Sequence, residues 1–325
     1  MAPTVRVGLL GTGSISRRHF GALRRLREEA EVVAVCDVID ERVRAAAAPV
    51  GAVPYLSFHE MLTREKLDAL YVCLPPDAHV DQELAAAAAG IHLFVEKPLP
   101  LDLAKAEAIA RAVAAAGIVT AVGYHWRHFS HVQHLRAALG SERTGMLLGH
   151  FLSGLPDGAW WRIRARSGGQ VVEQAIHLFD TARYLLGEVE RVSAAYALRG
   201  NADAPGYDQD DVYTVGLRFR SGAIGTISAT CILHRRWQVG LDVLCKDRAY
   251  RLREDALEVD DAAGVRRVAL DNDPAFDENA AFIRAAAGGP RAAILSDYAD
   301  AVRTQRVVLA ANAAAASGQP VVLPS

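Results

Sequence analysis

The sequence predicts an α/β chain with two regions: a doubly wound parallel sheet, then an α+β region built on a mainly antiparallel sheet. Three observations carry this. The first third alternates short unbroken apolar runs with segments of helical spacing. A glycine-rich turn, Gly11-Thr12-Gly13-Ser14-Ile15-Ser16, separates the first run from the first helix. After about residue 123 the apolar runs give way to longer stretches in which apolar and polar residues alternate. A chain of 325 residues is also longer than one compact core usually supports. The expected domains are 1–122 and 123–325, with the C-terminal helix packing back on the first.

Taken in order, Val5 to Leu10 reads as a strand, Arg17 to Ala30 as a helix and Val32 to Cys36 as a second strand. Arg42 to Ala48 is helical, Leu70 to Leu74 a strand, Val80 to Ala89 helical and His92 to Val95 a strand. Ala104 to Ala116 is helical and Val119 to Val122 a strand. Strands without polar alternation are buried on both faces, as in a parallel sheet covered by helices. Alternation with helices means βαβ units. Beyond residue 123, a long helix is expected from Gln170 to Leu186. Tyr213, Val215, Leu217 and Phe219 then share one face of a strand, Ser221-Gly222 turns the chain, and Ala223 to Ile232 returns. Further strands are expected at Trp237 to Leu244, Arg248 to Leu252, Ala256 to Val259 and Val265 to Leu270. Helices near Asp277 to Ala287 and Ser296 to Ala316 follow. Asn201 to Asp210, rich in Asp, Gly and Pro, reads as a loop.

Composition excludes several classes of function. A net charge of −2 offers no basic field for a nucleic acid. No apolar stretch reaches the length of a bilayer span. The N-terminus runs straight into the first apolar run with no basic region or cleavage site. The four cysteines, Cys36, Cys73, Cys231 and Cys245, show no paired spacing and fit small apolar residues in a reducing cytoplasm.

The glycine turn carries the first chemical signal. Glycines permit a tight turn and let backbone N–H groups approach a pyrophosphate at the positive end of a helix. Ser16 stands where a third glycine is usual, and is small enough for close packing. Asp37 ends the second strand at about the 20-residue offset of an acid that binds ribose hydroxyls. Its charge would repel a 2′-phosphate, so NAD is expected rather than NADP. Arg17 or Arg18 reaching a phosphate leaves NADP open.

Two further stretches offer catalytic groups. Glu96-Lys97-Pro98 closes an apolar strand, at the sheet edge where ligands of open α/β sheets bind. A lysine there is either a catalytic ammonium or half of a surface ion pair. Glu173, His177 and Asp180 stand at i, i+4 and i+7 of the expected long helix, on one face. A histidine flanked by carboxylates is a tunable acid/base near neutral pH. The paired histidines of a zinc helix are missing, so no metal is expected.

In this order and spacing, the glycine loop, Asp37, Pro75-Pro76 with His79, Glu96-Lys97-Pro98, Gly123-Tyr124 and the Glu173/His177/Asp180 helix resemble the Gfo/Idh/MocA family, the glucose–fructose oxidoreductase and inositol dehydrogenase relatives. The resemblance spans essentially the whole chain. It implies an N-terminal Rossmann domain and a C-terminal domain whose large open sheet carries dimer or tetramer contacts. It implies Lys97 as the catalytic lysine, with Pro98 cis, and His177 as the proton donor and acceptor. Gly11, Gly13, Ser14, Ile15, Asp37 and Glu96 fall on the cofactor, and Pro75, Pro76 and His79 line its nicotinamide side. Glu173 stands where an aspartate commonly binds substrate hydroxyls, and His125 where Asn or Gln is common. The implied activity is NAD(P)-dependent hydride transfer at a hydroxyl or carbonyl carbon of a sugar, polyol or inositol-like substrate. A redox-neutral, NAD-using glycosidase and a non-catalytic NAD sensor are the alternatives on the same fold.

Trp160, Trp161, Arg162, Arg164 and Arg166 crowd the loop before the histidine helix. Indoles can stack on a sugar ring and arginines can hold an anion; equally, the tryptophans pack under the loop and the arginines face water. Trp160, Arg162 and Asp180 are placed on the substrate side. His125, His128, His131 and His134 recur every third residue and read as a solvated helix edge.

Overall fold

The computed structural model describes residues 4–140 and 142–324; Met1–Pro3, where an address signal would begin, lie outside them. In the N-terminal region, β1 (Val5–Leu10), β2 (Ala30–Cys36), β3 (Val53–Tyr55), β4 (Ala69–Val72), β5 (His92–Val95) and β6 (Thr120–Val122) form one sheet in the order β3-β2-β1-β4-β5-β6. Every neighbouring pair is parallel. The order reverses between β1 and β4, the switch point at which open α/β sheets bind ligands. Five of these strands coincide with the expected apolar runs. β3 does not, because Val53 and Pro54 are exposed on a sheet edge, where proline is tolerated and no apolar run is needed.

The chain divides into two compact units, and the division is discontinuous. The first unit takes the chain up to His128 together with Asp273–Val302; the second takes Phe129–Asn272 together with the residues from Arg303. The expected domains, 1–122 and 123–325, are contiguous apart from a returning C-terminal helix. The segment that joins the first unit is instead the helix Pro274–Ala286 and the chain after it to Val302, while most of the C-terminal helix, Tyr298–Ser317, falls in the second unit. From the helix Pro274–Ala286, Ala280, Phe282 and Ile283 join Val7, Leu9, Tyr71 and Phe94 in one buried cluster. Phe282 meets Tyr71 and Phe94 edge-on, with ring centroids 5.5 and 5.6 Å away. Truncating so large a buried ring typically costs about 3–5 kcal/mol, enough to draw this helix back to the first core.

The second unit is built on a nine-stranded sheet. β7 (Thr144–Gly154), β8 (Val189–Ala197), β9 (Val212–Phe219), β10 (Ile224–Leu233), β11 (Gln238–Cys245), β12 (Arg248–Leu252), β13 (Ala256–Asp261), β14 (Gly264–Ala269) and β15 (Val321–Val322) run in the order β14-β13-β12-β11-β7-β10-β9-β8-β15. Only the β7–β10 pair is parallel; the rest are antiparallel. β7 lies at the centre yet escapes a period-2 reading. Its buried row, Leu147, Gly149, Phe151 and Ser153, includes a glycine and a serine, while Met146, Leu148 and Leu152 stand on the other face. Gly149 is needed there: a Cβ would lie 2.7 Å from the Ile227 side chain.

Candidate active site

The first unit carries the glycine turn between β1 and the helix Ser16–Arg25. Gly11 has φ +89°, and a Cβ on it would sit 2.4 Å from the Cys73 carbonyl oxygen, so only glycine fits. A Cβ on Gly13 would meet nothing within 4 Å. The Ser16 hydroxyl is buried and donates to the Gly13 carbonyl at 2.7 Å, which pins the turn. Ser14 is exposed and Ile15 half-buried at the helix start. The space over Gly13 and the helix N-terminus therefore fit a pyrophosphate.

Asp37 follows β2. One carboxylate oxygen accepts both the Thr12 N–H and the Thr12 hydroxyl, and the other accepts the Ile39 N–H at 3.0 Å. Burial opposes the charge, but the Thr12 and Ile39 donors outweigh it and hold this carboxyl below its ordinary range. Thr12 fills both lone-pair positions of one oxygen. The acid thus keeps one acceptor position for a ribose, rather than a pair of open oxygens. A cavity of about 370 Å³, lined by Thr12, Ser16, Arg17, Arg24 and Arg42 among others, opens beside this turn.

At the carboxyl end of β5, Glu96 is buried and Lys97 half-buried. The Lys97–Pro98 peptide is cis. Glu96 accepts the Lys97 N–H at 3.1 Å. Burial, with the charges of Arg18, Lys97 and His128, pushes the His125 imidazole down to about 3. His125 is therefore a neutral group within reach of the Lys97 charge. Pro75 and Pro76 enter the turn Pro76–Ala78. His79 just after it is fully buried and bonded through Nδ1 to Glu83, while Lys105 donates to its carbonyl at 2.5 Å. Glu83 takes its Nδ1, while its buried Nε2 has no hydrogen-bond partner among the described residues.

The second unit carries the remaining residues. The helix expected to run unbroken from Gln170 to Leu186 is interrupted: Gln170–Glu173 and Ile176–Leu186 are separate helices. Ala175 donates its N–H to Gln170 five residues back, a widened turn of the kind often found at functional sites. Glu173, His177 and Asp180 therefore do not form the single polar helix face that their spacing predicts. Glu173 and His177 are half-exposed, whereas Asp180 is fully buried and accepts the Thr304 hydroxyl at 2.8 Å. Thr304 in turn accepts Arg183 Nη1 at 2.6 Å, so Asp180 belongs to a core network and not to a substrate face.

Trp160 is half-exposed. Trp161 is buried, and its indole N–H donates to Glu173 at 2.7 Å. Sequence reasoning did not pair these two. Arg162 reaches the Pro205 carbonyl at 3.2 Å, and Arg164 pairs with Asp210 at 3.0 Å. The histidine series is no single solvated edge. His125 and His128 lie in the turn His125–His128. His131 is buried and bonds the Arg253 carbonyl at 2.8 Å, and His134 alone is exposed.

Residues 5–124 match the family model described as oxidoreductase family, NAD-binding Rossmann fold, and residues 132–251 match the GFO/IDH/MocA C-terminal domain. The chain belongs to the Gfo/Idh/MocA oxidoreductase family. It is an NAD-binding oxidoreductase, as the sequence motifs implied. It is 30% identical over 237 residues to myo-inositol 2-dehydrogenase of Thermotoga maritima, covering 69% of this chain and 67% of that protein. It is also 30% identical to D-apiose dehydrogenase of Paraburkholderia graminis, over 81% of this chain and 67% of the relative. Among solved structures, the WlbA dehydrogenase of Bordetella pertussis, in complex with NADH and UDP-GlcNAcA, superposes with a TM-score of 0.84 at 25% identity. The match covers 99% of this chain and 100% of that one. Among the described residues, no helix of this family member is long and apolar enough to cross a membrane.

Proposed function

We propose that the protein oxidises a secondary hydroxyl of a sugar, polyol or inositol-like substrate, with NAD preferred to NADP. The observation that carries the reading is the surroundings of Lys97: an ammonium at the carboxyl edge of the parallel sheet, its peptide held by Glu96, with a neutral imidazole, His125, close by. NAD, when bound, accepts the hydride. Gly11, Gly13, Ser14 and Ile15 shape the turn that receives the pyrophosphate, and Asp37 takes a ribose hydroxyl. The Lys97 ammonium polarises and orients the reacting oxygen. His177 removes the hydroxyl proton as the C–H bond gives up its hydride, and returns it in the reverse direction. Glu173 binds a second hydroxyl, while Trp160 and Arg162 contact the rest of the ring. His125, held neutral, donates or accepts a hydrogen bond without adding charge beside Lys97. The named inositol and apiose dehydrogenases support a polyhydroxylated substrate.

We also place the protein in the cytoplasm as a homodimer or homotetramer through its larger sheet. On one face of that sheet Met146 and Ile224 pair in register, and Met146, Ile224 and Ile232 stay exposed; the cysteines are free thiols.

The test is a spectrophotometric screen of NAD and NADP against inositols, aldoses and sugar acids, run with Lys97→Ala and His177→Ala. Each variant is expected to lose roughly 10²–10⁴ in turnover while NADH binding, followed by fluorescence, stays within a few-fold. Aryl glycoside cleavage with no net change in cofactor absorbance would replace this reading with the redox-neutral one.

A further inference from the structure

Behind Lys97 the first unit buries a group that the proposed chemistry does not use. His19 comes from the helix Ser16–Arg25, Glu96 from the end of β5, and Glu278 and Asn279 from the returning helix Pro274–Ala286. One polar atom each of His19, Glu96 and Glu278 lies within 4.8 Å of the others. His19 Nε2 is 2.9 Å from a Glu96 oxygen, and Nδ1 is 3.0 Å from the Asn279 side-chain oxygen. The Asn279 amide nitrogen donates to the Ala275 carbonyl at 2.6 Å, which turns its oxygen toward the ring. Both ring nitrogens thus face acceptors. An imidazole has one N–H and an imidazolium has two, so the geometry calls for the imidazolium, balanced by an ionised Glu96. These bonds use both nitrogens and leave none for a metal ion.

The other oxygen of Glu96 holds the Lys97 peptide N–H. Gly123 covers this carboxylate so closely that a Cβ would come within 2.7–2.9 Å of three of its atoms. Tyr71 and Phe94 close the other side, with ring centroids 5.2 and 4.8 Å from the His19 ring. The groups facing the cluster are few. Tyr71 and Cys73 are neutral, pushed up by burial. Glu278 is pushed well up by burial and by the Glu96 charge, against Arg18, and so carries a proton. Arg18 and Lys97 are the cations nearby, both acting on His125.

We propose that His19 is a positioning residue for Lys97: as a buried imidazolium it keeps Glu96 ionised, and the Glu96 carboxylate clamps the Lys97 peptide in place. The functional weight of this clamp rests on the reading that Lys97 works on the substrate.

Two measurements on the whole chain test it, and neither needs a substrate. In ¹⁵N-histidine spectra, His19, assigned by its loss in His19→Gln, is expected to keep both nitrogens protonated at about pH 8, where a free imidazole is neutral. A single neutral tautomer at that pH would overturn the proposal, as would a bound metal that survives dialysis against a chelator. If His19→Gln does not fold, assignment by Asn279→Asp, which alters the Nδ1 partner, keeps this measurement decisive. The chain has four lysines, Lys66, Lys97, Lys105 and Lys246, so reductive ¹³C-methylation resolves the Lys97 amine. In His19→Gln, Glu96 takes up a proton once the imidazolium is gone, so the titration midpoint of that amine is expected to fall by about half a pH unit or more, with the other three lysines unmoved. An unmoved Lys97 refutes the clamp. Full turnover by Lys97→Ala would instead sink the proposed function and leave the His19 spectrum as described.

Discussion

Thr12 donates its backbone N–H and its hydroxyl to one oxygen of Asp37, each at 2.7 Å. The glycine turn and the end of β2 are thereby locked together before any ligand arrives. The lock also rations the acid: the second oxygen, which accepts Ile39, retains one position.

Cofactor choice should follow from this pair. Asp37→Ser removes the charge that would repel a 2′-phosphate. It is expected to lower the NAD-to-NADP ratio of kcat/KM by about tenfold or more, the scale of a charge-assisted hydrogen bond. Thr12→Val keeps the N–H contact and loses the hydroxyl; the KM for NAD should rise about fivefold. Steady-state kinetics with both cofactors decides the matter, and an unchanged ratio in Asp37→Ser would remove Asp37 from the ribose.

The two glycines of the turn should separate stability from binding. Gly11→Ala meets the Cys73 carbonyl at a positive φ and is expected to cost about 2–4 kcal/mol of stability. Gly13→Ala meets no protein atom within 4 Å and should change stability by less than about 0.5 kcal/mol. It should nonetheless weaken NAD binding about tenfold or more, because its methyl takes the space left for the pyrophosphate. Thermal melts with and without NAD read both effects. Full NAD affinity in Gly13→Ala would place the pyrophosphate elsewhere.

Trp161 aims Glu173. Trp161→Phe deletes the N–H donor at 2.7 Å and keeps most of the buried ring. Hydrogen bonds to charged groups are worth about 1.5–3 kcal/mol, less when the acceptor regains water. The sugar KM is expected to rise about three- to tenfold, with a smaller change in kcat. A KM equal to that of the parent would mean that Glu173 is oriented by its other contacts.

Glu278 should make stability fall as pH rises. Its folded carboxyl is pushed well above the ordinary 4.5, by burial first and then by Glu96. Below about pH 4.5 both folded and unfolded chains hold the proton, and the group is neutral to stability. Above it the unfolded chain releases the proton while the folded chain keeps it, so folding is penalised until the pH passes the folded value. Glu278→Gln carries no such penalty. It should melt several degrees above the parent at pH 7–8, at roughly 2–4 °C per kcal/mol, and the gap should close toward pH 4. A Glu278→Gln protein that melts lower than the parent at pH 8 would show an ionised Glu278.

Much of the fold is legible in the sequence, and for a local reason. A strand buried on both faces must be apolar throughout, so β1, β2, β4, β5 and β6 stand out as unbroken runs. A turn at φ +89° against a carbonyl admits glycine alone, so Gly11 stands out as well. Asp37 and Lys97 are placed by their distance from strand ends, which backbone geometry holds within a residue or two. β7 hides because Gly149 and Ser153 interrupt its buried row. The break at Gln174 hides because a widened turn has no fixed residue signature.

The polar partnerships are of another kind. Glu173 takes Trp161 and not Trp160, Asp180 turns into the core toward Thr304, and His19 meets Asn279 across 260 positions of chain. No periodicity encodes such meetings. They arise when packing of apolar faces, such as Phe282 against Tyr71, carries remote segments together and leaves buried donors and acceptors to satisfy one another. Local sterics and hydrophobic pattern wrote the scaffold into the chain; desolvation in the finished core selected which charges face which.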